Sequence, residues 1–215
     1  MAVVVGVGNP TMGDDGVARA VVRELDGAND GGPETAFVGT TALLALEAMD
    51  GASRAVVVDA IDAEGPPGTI HRVRADDDGA AAEVLMHDFT FASAIRRCRS
   101  AYDLPERVAV VGVVPARIEP AVGLSPSIER IVPDLAAAVD AERTADRPSG
   151  GDRFMNASWY CVDCEAEIEA EAVDDHERQG HSVRGRLRPE RLLSGDPWEA
   201  GESHNAGERP EGGVE

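Results

Sequence analysis

Three strand-length apolar stretches constrain this chain more than any other feature: Ala2–Val7, Ala55–Val58 and Arg107–Val114. Runs without polar alternation read as strands buried on both faces, the habit of a parallel sheet. Each ends abruptly, in Gly8-Asn9, Asp59 and Pro115 respectively. Amphipathic segments fill the intervals. One begins near Asp15 with Val17, Val21, Val22 and Leu25; another is Thr41–Met49 with Leu43, Leu44 and Leu46. A third carries Phe91, Ala94 and Ile95 behind Asp88, a suitable N-cap, and a fourth starts at Ser127 and carries Ile131, Leu135 and Val139. Thr35–Val38 fits a short second strand, and the alternating Thr69–Val73 reads as a half-exposed edge strand. Strands and helices alternate to about residue 145, which predicts a three-layer α/β/α sandwich on a mostly parallel sheet.

Composition then divides the chain. After a first domain over 1–145, residues 146–152 have linker character (Asp146-Arg147-Pro148-Ser149-Gly150-Gly151). Residues 153–193 read as a separate small unit, and 194–215, rich in Gly, Glu and Pro, as a disordered acidic tail. Forty acids face twenty bases, all of them arginine, for a net charge of −20. Nucleic-acid binders need a basic footprint, and anionic membrane surfaces need the same, so both partner classes are set aside. A solvated acidic surface is the plain reading. Acid this dense without lysine also suits a cytosol of high salt, where charge is screened within about 3 Å at 1 M. No apolar run approaches the roughly 18 residues of a membrane span, and the first residues show no leader pattern, so a soluble cytoplasmic protein is expected.

Three residues fall where an open α/β sheet gathers its chemistry, outside the carboxyl ends of the strands. Asp15 follows the first strand, Asp59 ends the central one, and His87 precedes a helix. Two carboxylates and an imidazole suit a divalent transition metal that keeps positions open for water or substrate. Asp15 could instead cap the first helix, and His87 could be a solvent-facing loop residue. Asp59 is harder to dismiss, because a buried carboxylate without a partner is costly. A dinucleotide site is disfavoured: the third glycine of G-x-G-x-x-G would fall at Thr11, and Asp14 and Asp15 would oppose a pyrophosphate. Cys98, beside Arg96, Arg97 and Arg99, has basic neighbours that could lower a thiol pKa, but it fits a helix boundary better than a nucleophile.

Taken together, Gly6-Val7-Gly8-Asn9, Asp14-Asp15-Gly16, Val57-Val58-Asp59-Ala60-Ile61 and Pro67-Gly68-Thr69 resemble the hydrogenase maturation protease family. The later block Val111-Gly112-Val113-Val114-Pro115, Glu119-Pro120, Gly123-Leu124-Ser125-Pro126 extends the resemblance, which covers about residues 3 to 140. It implies a metal-dependent endopeptidase of aspartic type that removes the C-terminal extension of a nickel–iron hydrogenase large-subunit precursor. The nickel would arrive in the substrate's own cysteine-rich site and be approached by Asp15, Asp59 and His87, with Asp15 and Asp59 catalytic. The first-loop acid is often glutamate in that family and is one methylene shorter here. The alternative is a non-catalytic metal-binding or adaptor protein of the same fold, acting through its C-terminal unit.

That unit carries Cys161 and Cys164, then His176 and His181, spaced C-x2-C-x11-H-x4-H. The spacing nearly matches a two-cysteine, two-histidine zinc finger. Ile168 and Val173 would supply its small core, Glu165–Glu177 a helix-prone connector, and zinc the stability such a core lacks. Glu165, Glu167, Glu169, Glu171, Asp174 and Asp175 would repel a phosphate backbone, so the arginines at 184, 186, 188 and 191 point to docking with a protein partner.

Overall fold

The computed structural model describes residues 1–27, 34–74, 85–86, 89–144 and 154–189; His87, Asp88, Arg191, the 146–152 linker and the 194–215 tail lie outside the described residues. The chain opens with strand β1 (Ala2–Gly6), a 3-10 turn at Gly13–Gly16, helix α1 (Val17–Gly27), β2 (Glu34–Phe37), α2 (Ala42–Met49) and β3 (Arg54–Ala60). It continues through β4 (Ile70–Arg74), β5 (Leu85–Met86), β6 (Phe89–Thr90), α3 (Phe91–Cys98), β7 (Val108–Val113) and α4 (Pro126–Thr144). The last part holds β8 (Phe154–Cys161), β9 (Ala166–Ile168), α5 (Val173–Arg178) and β10 (Val183–Pro189).

The main sheet runs β2-β1-β3-β7-β4-β10-β8-β9. Its first four strands are parallel, as the apolar runs require, and β1, β3 and β7 are buried almost throughout. Successive residues of each strand face opposite layers. Val4, Val56, Val58, Val111 and Val113 pack against α1 and α4, burying Val17, Val21, Ile131, Leu135 and Val139. Val3, Val5, Val57 and Val110 pack on the other side against α2 and α3, with Leu46, Met49 and Ile95. This is the expected α/β/α layering.

The other half of the sheet differs from the expectation in two respects. The β4 strand is an interior strand, antiparallel to β7 on one side and to β10 on the other. The Pro66–Thr69 turn reverses the chain after β3, with Thr69 N–H and Oγ1 both donating to the Pro66 carbonyl (3.1 and 2.7 Å). Residues 154–189 likewise do not stand apart: β10 pairs with β4, β8 with β10, and β9 with β8, so the C-terminal unit continues the main sheet. The helix-prone connector resolves into β9, a 3-10 turn at Ala170–Ala172 and the short α5. Ile168 and Val173 do meet in its small core, packed around Trp159 and Val183. Cys98 closes α3, half-buried against the α2/α3 layer. Among the described residues no helix is long and apolar enough to cross a membrane.

Candidate functional site

The first loop is built to hold Asp15. Beyond β1, Val7 N–H donates to the Val58 carbonyl (2.9 Å) and Gly8 N–H to that of Gly39 (3.0 Å), so the loop leaves the sheet between β2 and β3. Gly8 has φ 132°, and a Cβ there would lie 1.9 Å from the Asp15 carbonyl oxygen and 3.6 Å from Asp59 Oδ1. Only glycine lets the backbone pass this close to both acids. The Asn9 side chain accepts from Thr11 N–H and Oγ1 (3.1 and 2.8 Å), closing an Asx turn, while Asn9 N–H donates to Asp15 Oδ2 (2.8 Å). The Gly-Val-Gly-Asn motif is therefore the mount of one carboxylate.

Asp59 faces it from the end of β3. Asp59 and Asp15 are 2% and 3% exposed. Asp59 Oδ1 accepts from Ala60 N–H (2.8 Å). Burial pushes the Asp59 carboxyl well above its ordinary range, the neighbouring Asp15 charge pushes the same way, and the Ala60 N–H opposes both. Opposite Asp59 in the β3–β7 register lies Gly112, where a Cβ would strike the Ile61 side chain at 2.6 Å. The missing side chain lets Ile61 fold back over the sheet directly after the acid. Two desolvated carboxylates so placed favour either a retained proton or an arriving cation.

Asp14 has a different task, which the sequence did not separate from that of Asp15. Fully buried, it accepts from Ala116 N–H (2.9 Å), Arg117 N–H (3.0 Å), Ser125 N–H (2.6 Å) and Ser125 Oγ (2.8 Å). Main-chain bonds from Gly13 to Ala121, Asp14 to Arg117 and Ala121 to Thr11 complete the seam between the first loop and the loop after β7. The Gly-Leu-Ser-Pro block thus supplies, in Ser125, two of the four donors to Asp14. Asp14→Ala leaves several buried donors unmet and is expected to cost about 2–4 kcal/mol in urea unfolding, against under about 1 kcal/mol for Asp15→Asn.

A family model for hydrogenase maturation proteases, described as HycI, matches residues 21–142, more than half of the chain. The chain belongs to the hydrogenase maturation protease family. It is 26% identical over 208 residues to the hydrogenase expression/formation protein HoxM of Cupriavidus necator, covering 91% of this chain and 100% of that one. It is also 26% identical over 134 residues to the hydrogenase 2 maturation protease of Escherichia coli, covering 60% of this chain and 82% of the relative. In fold it is similar to the maturating endopeptidase HybD of Escherichia coli, with TM-score 0.56 at 24% identity over 67% of this chain and 93% of the other. That likeness supports the α/β architecture.

A second cluster lies beyond the segment that the maturation protease model matches. One ligand atom each from Cys161, Cys164, His176 and His181 lies within 4.8 Å of all the others. His181 Nδ1 is 3.5 Å from Cys161 Sγ and 3.3 Å from Cys164 Sγ; His176 Nδ1 is 3.6 Å from Cys164 Sγ and 3.2 Å from His181 Nδ1. A tetrahedral zinc, with bonds of about 2.3 Å to sulfur and about 2.0–2.1 Å to nitrogen, sets its ligand atoms about 3.3–3.8 Å apart. The donor set and its edges fit such an ion. Cys161 ends β8 and Val183, paired with it, begins β10, so the cluster sits at the edge of the sheet opposite Ala60 and Asp59.

The arginines of β10 alternate with its buried residues, on the less buried face of the strand. Arg188 Nη1 donates to the Pro66 and Pro67 carbonyls (3.3 and 3.0 Å) and to Thr69 Oγ1 (3.2 Å). Arg184 and Arg186 line a cavity of about 900 Å³ with Tyr160, His71, Asp62 and Glu64; neither Asp15 nor Asp59 reaches it.

Proposed function

We propose that this chain is the endopeptidase that removes the C-terminal extension of a nickel–iron hydrogenase large-subunit precursor, reading nickel held in the substrate. The observation that carries the reading is the buried Asp15–Asp59 pair at the carboxyl edge of the parallel strands. Family membership supplies the substrate class. Asp15 and Asp59 would hold the precursor's metal, Asp59 releasing to solvent the proton that its burial favours. His87, which the sequence places between β5 and β6, is the proposed third ligand. Such a metal would polarise the scissile carbonyl and activate water, while the chain's carboxylates orient both and no serine or cysteine serves as nucleophile. The enzyme is in that sense metal-dependent, with aspartates as its catalytic groups.

The surface around the pair supports a protein substrate. Leu43 and Leu44 are 55% and 45% exposed, Ile118 and Val122 51% and 95%. The first two lie in the opening turn of α2, just past the Gly39 carbonyl that meets Gly8; the others lie in the loop that Asp14 pins. Large apolar groups exposed beside a polar cleft suit macromolecular docking. Incubating the purified protein with nickel-loaded and nickel-free precursor tests the reading. Cleavage of the loaded form alone is expected, with Asp15→Asn slower by about 10²-fold or more; no cleavage of loaded precursor by the wild-type protein would refute it.

We further assign Cys161, Cys164, His176 and His181 to a structural zinc, closed by four protein ligands and so without a position for substrate.

A further inference from the structure

We infer that zinc in the Cys161–Cys164–His176–His181 cluster is a clasp for the protease sheet, keeping Glu177 seated on the buried Arg72 of β4, so that metal loading and the integrity of that sheet are one equilibrium. The inference rests on the zinc assignment above and goes beyond it. It replaces partner docking as the purpose of the C-terminal unit.

The linkage starts in α5. This helix spans six residues, too few to hold itself. Val173 and Glu177, four residues apart, share its buried face, at 0% and 6% exposure. Val173 enters the small core of Trp159 and Val183, and Glu177 reaches the centre of the main sheet. There Glu177 Oε1 accepts from Arg72 Nη1 at 2.5 Å, and Oε2 faces Arg107 Nη2 at 3.3 Å. The next residue back, His176, turns its ring to the metal cluster. One short helix therefore presents a ligand and a counter-ion on neighbouring positions. A core of three fully buried apolar residues with two partial neighbours is too small to fix it without the metal.

The β10 strand carries the tie further. Its Gly185 pairs with Arg72, and the Val183 carbonyl accepts from Arg72 Nη1 at 3.4 Å. At its other end Arg188 grips the Pro66–Thr69 turn, whose Gly68 N–H donates to Val114 and whose Thr69 carbonyl accepts from Val114 N–H. The strand thus runs from the metal cluster to the edge of the sheet where Asp59 emerges. Without metal, the two thiols and two imidazoles lose their common partner, α5 loosens, and Arg72 keeps one carboxylate where it had two.

The test uses the full chain. Zinc per chain is measured in the wild-type protein, in protein stripped with a strong chelator, and in Cys161→Ser/Cys164→Ser. Thermal unfolding and amide exchange over residues 70–74 are followed in each, with and without Glu177→Gln. One zinc per chain is expected. Its removal is expected to lower Tm by roughly 10 °C or more and to speed exchange in β4 at least about tenfold. Glu177→Gln should keep the zinc, lower Tm of the loaded protein, and add little once the metal is gone. Absence of zinc from the wild-type protein refutes the zinc assignment itself. A bound zinc whose removal leaves β4 exchange unchanged, or effects of Glu177→Gln and zinc removal that simply add, overturns the clasp and leaves the site standing.

Discussion

Asp59→Asn is expected to abolish cleavage of nickel-loaded precursor while yielding a protein more stable than the wild type at neutral pH. The loss, about 10³-fold, is the size seen when a principal electrostatic group leaves an active site. The gain follows from linkage. Burial and the Asp15 charge raise the Asp59 carboxyl well above its ordinary value of 3.8, so the folded chain holds a proton that the unfolded chain has already released. Between the ordinary value and the raised one, stability falls as pH rises; below the ordinary value the full contribution is present. Asparagine keeps an acceptor for the Ala60 N–H and carries no charge to desolvate. The wild-type and variant proteins should therefore unfold alike near pH 3 and diverge above it. A Tm advantage of a few degrees for the variant is expected at pH 7, at roughly 2–4 °C per kcal/mol for a chain of this size. Equal cleavage by the two proteins would remove Asp59 from the mechanism. A variant less stable than wild type at pH 7 would show that the pair is not held under electrostatic tension.

The largest stability effect is expected at the opposite side of the sheet, at Glu142. Arg72 is 2% exposed and makes a two-pronged pair with Glu142 at the end of α4, Nε to Oε2 at 2.9 Å and Nη2 to Oε1 at 2.8 Å, besides its bond to Glu177. Cutting away one partner leaves a buried charge half-compensated, and Glu142→Ala should cost about 3–5 kcal/mol. Removing both members as Arg72→Met/Glu142→Leu should recover most of that loss, because Glu177 retains Arg107, whose side chain is 31% exposed. Guanidinium midpoints of the single and double variants decide the matter. A double variant as unstable as Glu142→Ala would mean that shape, not charge balance, governs the site.

The parallel half of the fold is plain in the sequence, because β1, β3 and β7 are unbroken apolar runs that no helix or surface strand would carry. Asp59 drew notice for a related reason, as an acid closing such a run, whereas Asp15 read equally well as a helix cap and its burial belongs to the folded loop. Asp14 was not distinguishable from its neighbour, since its partners at Ala116, Arg117 and Ser125 lie at the far end of the chain and only the folded loops bring them together. The reading of β4 as an edge strand failed because its second neighbour is β10. That strand, Val183–Pro189, alternates Val, Gly and Leu with Arg, a period of two that its arginines disguised as a charged docking surface. The gathering of Cys161, Cys164, His176 and His181 was readable from their spacing, while its attachment to the sheet was not, because it depends on Glu177 meeting Arg72.

The place of β4 has a consequence for the order in which this protein is made. Its hydrogen-bonding partner on one side, β10, is synthesised more than 100 residues after it. Until then, a chain folded as far as α4 presents Ile70–Arg74 as an open strand edge, ready to pair with another copy in the same condition. Residues 1–144 already carry 23 acids against 12 arginines, an excess of 11 negative charges that keeps such half-made molecules apart by mutual repulsion. Surface charge that looks like adaptation of the finished protein also guards the unfinished one.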